Sequence, residues 1–229
     1  MDIVGVKIEK LRRKAKDDLY FFSKHILGYD LMEPDPHRPF CDFITNDEYD
    51  KKLILMPRGS FKSTVMTVAY SLWRIVNNPN VRILIVSETF GQSKGFLRSI
   101  KQHIEENETF KMLFGALRPE GRDKVWSSDQ IIVSTRVNAK VKEPTISCAG
   151  VGVQKTGYHC DLIIMDDVQS DKNTTTMDQI EKVKDFYKNL MSILDPGGKL
   201  YVVGTRWHFS DLYNYLLEEE RDQFGTYIK

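Results

Sequence analysis

The chain has few cysteines, no long apolar run and almost no net charge. Its three cysteines are irregularly spaced, which argues against a disulfide framework and favours a reducing compartment. No apolar run reaches the ~18 residues that a membrane-spanning helix needs. The N-terminus also lacks the uninterrupted apolar core of a signal peptide. We therefore predict a cytoplasmic protein with no membrane segment.

The formal net charge is +1, from 33 basic and 32 acidic residues. A protein that coats nucleic acid is usually more basic, so contact with DNA would have to come from a local patch or be transient. The 229 residues, 41% of them hydrophobic, can form one large domain or one domain with a small appendage. We predict that residues 1–40 contain an N-terminal helix, over 8–27, and a proline-rich loop, over 30–40, that leads into the core. The core itself is predicted over residues 41–229.

Residues 51–64, KKLILMPRGSFKST, have the layout of a phosphate-binding loop. An apolar run predicts a buried parallel strand, and the Lys-Ser-Thr at the end opens a segment with helical spacing. Backbone N–H groups at a helix N-terminus bind anions, and Lys62 adds a full charge. The usual pattern, G-x-x-x-x-G-K-[ST], has glycines where this chain has Met56 and Phe61, and Gly59 is the glycine of this loop. The alternative for this segment taken alone is a strand-to-helix turn with an exposed lysine.

Two more polar clusters follow apolar strands. Asp166 and Asp167 come directly after Leu162–Met165, and Thr205 follows the apolar run that ends at Val203. Strands and helices alternate at short spacing, which predicts an α/β domain with a mainly parallel central sheet flanked by helices, a P-loop NTPase fold of the RecA/ASCE-like type. Ligands of such sheets bind at the carboxyl ends of the strands. The three clusters can therefore converge on one edge.

Local signals predict the boundaries of several elements. Thr89–Gln92 and Thr176–Gln179 fit capping boxes at the starts of two helices. Asp195–Gly198 predicts a turn, and Ser210 is the predicted N-cap of the last helix. Residues 107–128 are polar, and we predict that they are irregular.

This arrangement predicts a site for ATP and Mg²⁺. Lys62 would neutralise the β- and γ-phosphates, Ser63 would ligate the metal directly, and Asp166 would hold the water shell of the metal. Asp167 would face the attacking water as the catalytic carboxylate, although many such ATPases use the longer Glu there. Thr205, on a strand commonly inserted between the P-loop strand and the acidic strand, would detect hydrolysis near the γ-phosphate.

Further residues are candidates for contacts with the nucleotide. Arg58 could reach the phosphates in cis and is also a candidate catalytic residue. His37 and Arg38 could stack on adenine or form hydrogen bonds with it. The predicted nucleotide contacts are Arg58, Gly59, Ser60, Phe61, Lys62, Ser63, Thr64, His37 and Arg38. The candidates for a cation that acts in trans, which the sequence does not rank, are Arg122, Arg136, Lys155 and Arg206.

The order and spacing of these motifs resemble the large terminase subunit of tailed bacteriophages, and in particular its N-terminal ATPase domain. The resemblance rests on residues 57–64 (PRGSFKST), 85–89 (IVSET), 162–167 (LIIMDD) and 203–208 (VGTRWH). It implies an enzyme that hydrolyses ATP to ADP and phosphate and translocates double-stranded DNA into a procapsid, in the host cytoplasm. It also implies partners: the portal, the small terminase subunit and a ring of identical subunits.

The family also carries a C-terminal nuclease. Because no later strand with clustered acids follows the last motif, we expect this chain to represent the ATPase domain alone, without nuclease activity. Two other functions stay open from the sequence. A helicase-like DNA translocase would need a second RecA-like domain, and a non-catalytic ATP-dependent assembly module would bind ATP without needing Asp167 for turnover.

Overall fold

The computed structural model describes residues 3–121, 124–138, 140–153 and 157–229. Within these ranges the fold is built on a seven-stranded sheet with the strand order β3-β4-β2-β5-β6-β1-β7. The pairs are parallel except for β3 with β4, and helices flank the sheet, so the predicted α/β architecture is confirmed. The strands are β1 (Lys51–Leu55), β2 (Ile83–Ser87), β3 (Gln130–Ile131), β4 (Ile146–Gly150), β5 (Cys160–Asp166), β6 (Leu194–Gly204) and β7 (Phe224–Ile228).

Helices connect most of these strands. Two π-helical turns, Phe22–Ile26 and Thr64–Ala69, continue into or from α-helices, and a 3₁₀ turn spans Arg221–Gln223. In the part of the chain that the structure describes, no helix is both long and apolar enough to span a bilayer. The α-helices are α1 (Ile3–Asp17), α2 (Leu19–Phe21), α3 (Pro34–Thr45), α4 (Tyr70–Asn77), α5 (Phe90–Glu106), α6 (Glu108–Phe114), α7 (Met177–Met191) and α8 (Leu212–Glu218).

Both faces of the sheet are buried, which explains why its strands read as continuous apolar runs. Successive residues of a strand point to opposite faces. Ile54 and Ile164 therefore join the core beneath α1, α3, α4 and α5, whereas Leu53 and Ile163 join the core beneath α7 and α8. Two hydrophobic layers thus hold the sheet and fix the register of its central strands.

The central strands end level with one another at one edge of the sheet. In the parallel register Ser87 is opposite Asp166, Asp166 is opposite Val203, and Leu55 is opposite Gly204. Strand β6 lies between β5 and β1, as predicted for the strand that carries Thr205. The segments that follow β1, β2, β5 and β6 are therefore neighbours.

A buried lysine joins β1 to the end of α3. Lys52 is 1% exposed, and its Nζ donates hydrogen bonds to the carbonyl oxygens of Phe43 and Ile44, both at 2.8 Å, and to that of Asn46. The last carbonyl groups of a helix have no partner within the helix, and a cation there also complements the helix dipole. The ammonium group therefore caps α3 from the neighbouring strand.

Of three predicted helix N-caps, two are confirmed and one is wrong. The capping boxes of Thr89 with Gln92 and of Thr176 with Gln179 are both formed. The prediction for Ser210 is wrong, because Asp211 is the N-cap of α8. The Asp211 carboxylate is fully buried and accepts hydrogen bonds from the backbone N–H groups of Trp207, His208 and Asn214.

Two segments predicted as irregular contain helices. The predicted loop over residues 30–40 is wrong in its last part: α3 spans Pro34–Thr45, although Asp35 keeps an extended backbone (φ −112°, ψ 122°) near its start. Proline is compatible with the first helical positions because their N–H groups need no partner. Residues 107–128 include α6, which Asn107 caps by accepting from Phe110 N. The predicted turn at 195–198 is consistent with a bulge: Cys160 pairs with Leu194, but Leu162 pairs with Lys199.

A half-buried histidine on α5 makes stability depend on pH. His103 Nε2 lies 2.8 Å from Tyr29 Oη, and burial lowers the pKa of His103 below its usual 6.5. As the pH falls below 6.5, His103 takes up a proton in the unfolded chain before it does so in the folded protein. The contribution of neutral His103 to the free energy of unfolding is therefore present above pH 6.5 and is lost as the pH falls through the pKa of the folded state. We expect denaturant titrations to show a smaller loss of stability between pH 7 and pH 5 for His103→Gln than for the native protein. Exposed His25→Gln is the control, and identical pH profiles for native protein and His103→Gln would contradict the prediction.

Candidate functional site

The loop between β1 and the π-helical turn carries unusual backbone angles. Gly59 has φ of 80° and Phe61 has φ of 59°. Among the described residues, Phe61 and Asp167 are the two non-glycine residues with positive φ, and both belong to this edge of the sheet. Left-handed backbone at a bulky residue persists only where the surroundings hold it, and such residues cluster at functional sites. Here the ring of Phe61 packs edge-on against buried His37, with ring centres 5.5 Å apart.

This loop surrounds a cavity of about 280 Å³. The N–H groups at the start of a helix have no intrahelical partner and attract anions. The loop backbone therefore faces an open space that suits phosphate. The lining residues are Gly59, Ser60, Phe61, Lys62, Ser63 and Thr64.

Lys62 of the loop forms an ion pair with Asp167, the acid that directly follows β5. Lys62 is 6% exposed, and its Nζ lies 3.7 Å from Oδ2 of Asp167. Asp167 has φ of 46°; its backbone N–H donates to Val203 O at 2.9 Å, and its carbonyl accepts from Glu88 N at 3.3 Å. The loop after β1 and the ends of β2, β5 and β6 therefore meet at Asp167.

The first acid of the motif is held by two hydroxyl groups. Asp166 is fully buried; Ser63 Oγ donates to its Oδ1 at 2.8 Å, and Thr67 Oγ1 donates to its Oδ2. The pKa of Asp166 is raised to about 7, by burial first and by the charge of Asp167, while the hydrogen bonds from Thr67 and Ser63 oppose the rise. A cation at this position would favour the charged carboxylate.

These groups fit a magnesium ion. Mg²⁺ takes hard oxygen ligands, retains several waters and uses few protein groups, and a serine hydroxyl beside a buried carboxylate is such a donor set. In the described ranges no group of three or more His, Cys, Asp or Glu side chains could hold a metal. A metal at Ser63 and Asp166 would therefore complete its coordination with water and ligand oxygens.

Thr205 joins the end of β6 to the start of the loop. Its Oγ1 donates to Met56 O at 3.2 Å, and Met56 N donates to Gly204 O at 3.3 Å. A Cβ atom at Gly204 would lie 2.2 Å from the hydroxyl of buried Tyr213 on α8. Glycine at this position therefore allows α8 to pack closely beneath the strand end that carries Thr205.

Two arginines near this edge contact other side chains. The guanidinium of exposed Arg58 lies 4.8 Å from the ring centre of Trp207, a cation–π arrangement. Arg206 donates to Asn214 Oδ1 at 2.7 Å. Arg58 is thus beside the loop, stacked on the segment that follows β6.

Among the described residues, the remaining candidates make their contacts away from the loop. Arg38 lies over the ring of Tyr20 and pairs with Asp18 at 3.3 Å. Arg136 donates to the carbonyl oxygens of Glu143 and Val81, near the start of β2 rather than its end. The other two candidates for action in trans, Arg122 and Lys155, lie outside the described residues.

Three residues of this edge, Thr67, Glu88 and Ser170, had no role in the sequence predictions. Thr67 follows Ser63 by four positions, a spacing that puts both on one helix face. Glu88 follows β2 directly, and its carboxylate accepts from Ser170 Oγ at 2.8 Å. Its position beside Asp167 follows from the register between β2 and β5, which the sequence does not show.

A loop that leads from β1 into a helix, an acid pair at the end of β5 and an inserted β6 between them together define a P-loop NTPase-like α/β fold. The chain matches no family model.

Two known proteins are similar to this chain. The large terminase subunit of Enterobacteria phage T3 is 27% identical over 184 residues, which are 78% of this chain and 29% of that protein. The crystal structure of the HK97 bacteriophage large terminase has a TM-score of 0.62 at 11% identity, over 93% of this chain and 43% of that one. The chain therefore spans less than a third of the length of its T3 relative. The sequence likeness and the shared fold relate it to the large terminase subunits of bacteriophages, which confirms the resemblance seen in its motifs.

Proposed function

We propose that this chain is the ATPase domain of a viral DNA-packaging motor, which hydrolyses ATP with Mg²⁺ and uses the reaction to move double-stranded DNA into a procapsid. The observation that carries the proposal is the meeting of Lys62, Ser63, Asp166 and Asp167 at one edge of the sheet, beside a loop cavity. The likeness to large terminase subunits supports the packaging role.

Each group at this edge has a chemical role in the proposal. The loop backbone and Lys62 hold the phosphates and neutralise their charge. Ser63 and Asp166 hold Mg²⁺, which when bound neutralises the charge that develops on the phosphate oxygens. Asp167 orients the attacking water. Thr205, hydrogen-bonded to the start of the loop, responds to loss of the γ-phosphate.

The proposal extends to residues around the loop. Arg58 exchanges its contact with Trp207 for the phosphates when nucleotide binds. His37 holds the loop through Phe61, and we propose that adenine binds on this side of the loop. Arg38 could contribute only after leaving Asp18, with which it pairs at 3.3 Å. Arg206 is exposed and is our candidate for reaching a neighbouring subunit.

The partners follow from the terminase likeness: duplex DNA, the portal of the procapsid, the small terminase subunit and further copies of this chain in a ring. The net charge of +1 implies that DNA is held by a local basic patch. Binding to DNA should then weaken steeply as salt increases, because each neutralised phosphate releases counterions.

Replacing Lys62 with alanine tests the nucleotide site. We expect the affinity for a fluorescent ATP analogue with Mg²⁺ to fall at least about 10-fold, since a charge-assisted hydrogen bond to phosphate contributes ~1.5–3 kcal/mol. Equilibrium titration followed by fluorescence anisotropy measures this change. Exposed Lys172→Ala is the matched control and should bind as the native protein does. Equal affinity of Lys62→Ala and native protein would exclude the proposed site.

A further inference from the structure

Glu88 lies at the same edge of the sheet as the two acids of β5. It follows the last residue of β2, and Ser87 is in register with Asp166, so Glu88 comes next to Asp167. The backbone N–H of Glu88 donates to the carbonyl oxygen of Asp167 at 3.3 Å. A third carboxylate is therefore tied to the tip of the acidic strand through the backbone.

The backbone around Glu88 is held on its other side as well. Val151 N donates to Ser87 O at 3.0 Å, which extends the pairing between β2 and β4. A Cβ atom at Gly150 would lie 2.6 Å from Phe90 N, so the chain after Glu88 passes directly against β4. Glu88 is thus positioned by packed backbone on both sides and does not belong to a loose surface loop.

The side chain of Glu88 is fixed through one oxygen. Ser170 Oγ donates to Glu88 Oε1 at 2.8 Å, and Ser170 belongs to the segment that follows Asp167. Among the described residues no hydrogen bond to Glu88 Oε2 is formed. The residue is partly exposed, so this second oxygen can accept a hydrogen bond from water.

The neighbouring carboxylate is differently engaged. Asp167 Oδ2 lies 3.7 Å from the Lys62 ammonium, so this carboxylate is engaged in an ion pair within the loop. Its side chain is also about one methylene shorter than that of glutamate. The site therefore contains one carboxylate that pairs with the loop lysine and a longer one, Glu88, that forms no ion pair with Lys62 among the described residues.

We propose that Glu88 is a catalytic carboxylate of this site and accepts the proton of the attacking water. The proposal rests on the proposed ATP hydrolysis and adds a residue to it. As the water oxygen bonds to the γ-phosphorus, the bond from that phosphorus to the bridging oxygen of ADP breaks, and the water proton passes to Glu88. The proton then leaves to solvent with phosphate, which restores the carboxylate. Asp167 holds Lys62 and orients the water, and Ser170 positions Glu88.

A purely structural role for Glu88 makes a different prediction. The residue precedes Thr89, the N-cap of α5, and a negative charge near a helix N-terminus stabilises the helix. Loss of that effect would lower the melting temperature and leave turnover unchanged. Catalysis and stability must therefore be measured on the same variants.

The experiment compares single-turnover ATP hydrolysis, ATP affinity and melting temperature in Glu88→Gln, with Glu106→Gln, an exposed glutamate at the end of α5, as the control. Measurements use the whole chain with Mg²⁺, duplex DNA and procapsids. We expect Glu88→Gln to hydrolyse ATP about 100-fold more slowly, which is typical for the loss of a general base, with native ATP affinity. Added formate should raise the hydrolysis rate of Glu88→Ala at least about 10-fold, whereas chloride at equal ionic strength should leave that rate unchanged.

The outcomes separate the two proposals. A rate for Glu88→Gln within about threefold of native, or formate that has no effect on Glu88→Ala, overturns the role of Glu88. If replacing Lys62 slows ATP hydrolysis and replacing Glu88 does not, the proposed ATPase function stands and only the role of Glu88 is rejected. A native protein that neither binds nor hydrolyses ATP overturns both.

Discussion

Replacing Lys52 with methionine is expected to lower the free energy of unfolding by about 3 kcal/mol. The ammonium donates to three carbonyl oxygens at the end of α3, and methionine has a similar length but no donor. The carbonyl groups of Phe43, Ile44 and Asn46 would then lose a buried partner, which costs ~1–3 kcal/mol for each group that cannot find water. Urea unfolding followed by circular dichroism measures the change, provided that the m-value stays the same.

Lys51→Met is the matched control for this experiment. Lys51 precedes Lys52 on the same strand, and its Nζ donates to Gln223 Oε1 at 2.6 Å near the surface. Surface polar contacts of this kind contribute less than ~1 kcal/mol, so the control should lose little stability. An equal loss in the two variants would show that the cap of α3 does not depend on Lys52.

Replacing Asp167 with asparagine is expected to slow the proposed ATP hydrolysis about 100-fold, the size of effect typical for a group that orients or activates water. Asparagine has nearly the same shape and tolerates the left-handed backbone that Asp167 adopts, with φ of 46°. The variant therefore removes the charge and the pairing with Lys62 without straining the chain. ATP affinity should change only a few-fold, and rapid-quench single-turnover assays with DNA and procapsids measure the rate.

Asp171→Asn, an exposed acid four positions further on, is the control for loss of charge and should retain the native rate. A normal rate in Asp167→Asn would contradict a role for this carboxylate in turnover. ATP binding without hydrolysis in the native protein, under the same conditions, would instead favour a non-catalytic assembly module.

The sheet and the loop after β1 could be predicted because their signals are local. Continuous apolar runs such as that of β5 indicate strands buried on both faces. Thr89 and Thr176, each followed by glutamine at the third position, predicted two helix starts correctly. The convergence of Lys62 with Asp166 and Asp167 followed from the rule that parallel strands end at one edge.

The parts that sequence could not predict depend on tertiary structure. The prolines before Phe40 suggested a loop, but the packing of Phe40 and Cys41 into the core accompanies a helix over that segment. Ser210 and Asp211 are both good N-cap residues, and the three backbone N–H groups that surround the buried Asp211 carboxylate select the acid. Glu88 was part of a recognised motif, yet its position beside Asp167 requires the register between strands that are far apart in sequence.

The buried carboxylate of Asp211 has a mechanical consequence. It accepts from the N–H groups of Trp207, His208 and Asn214, while the N–H of Leu212 donates to Gln169 Oε1. These hydrogen bonds link the turn after β6 to α8 and to the segment that follows Asp167. If the end of β5 or β6 moved, we expect the turn, with the exposed side chain of Phe209, to move together with α8.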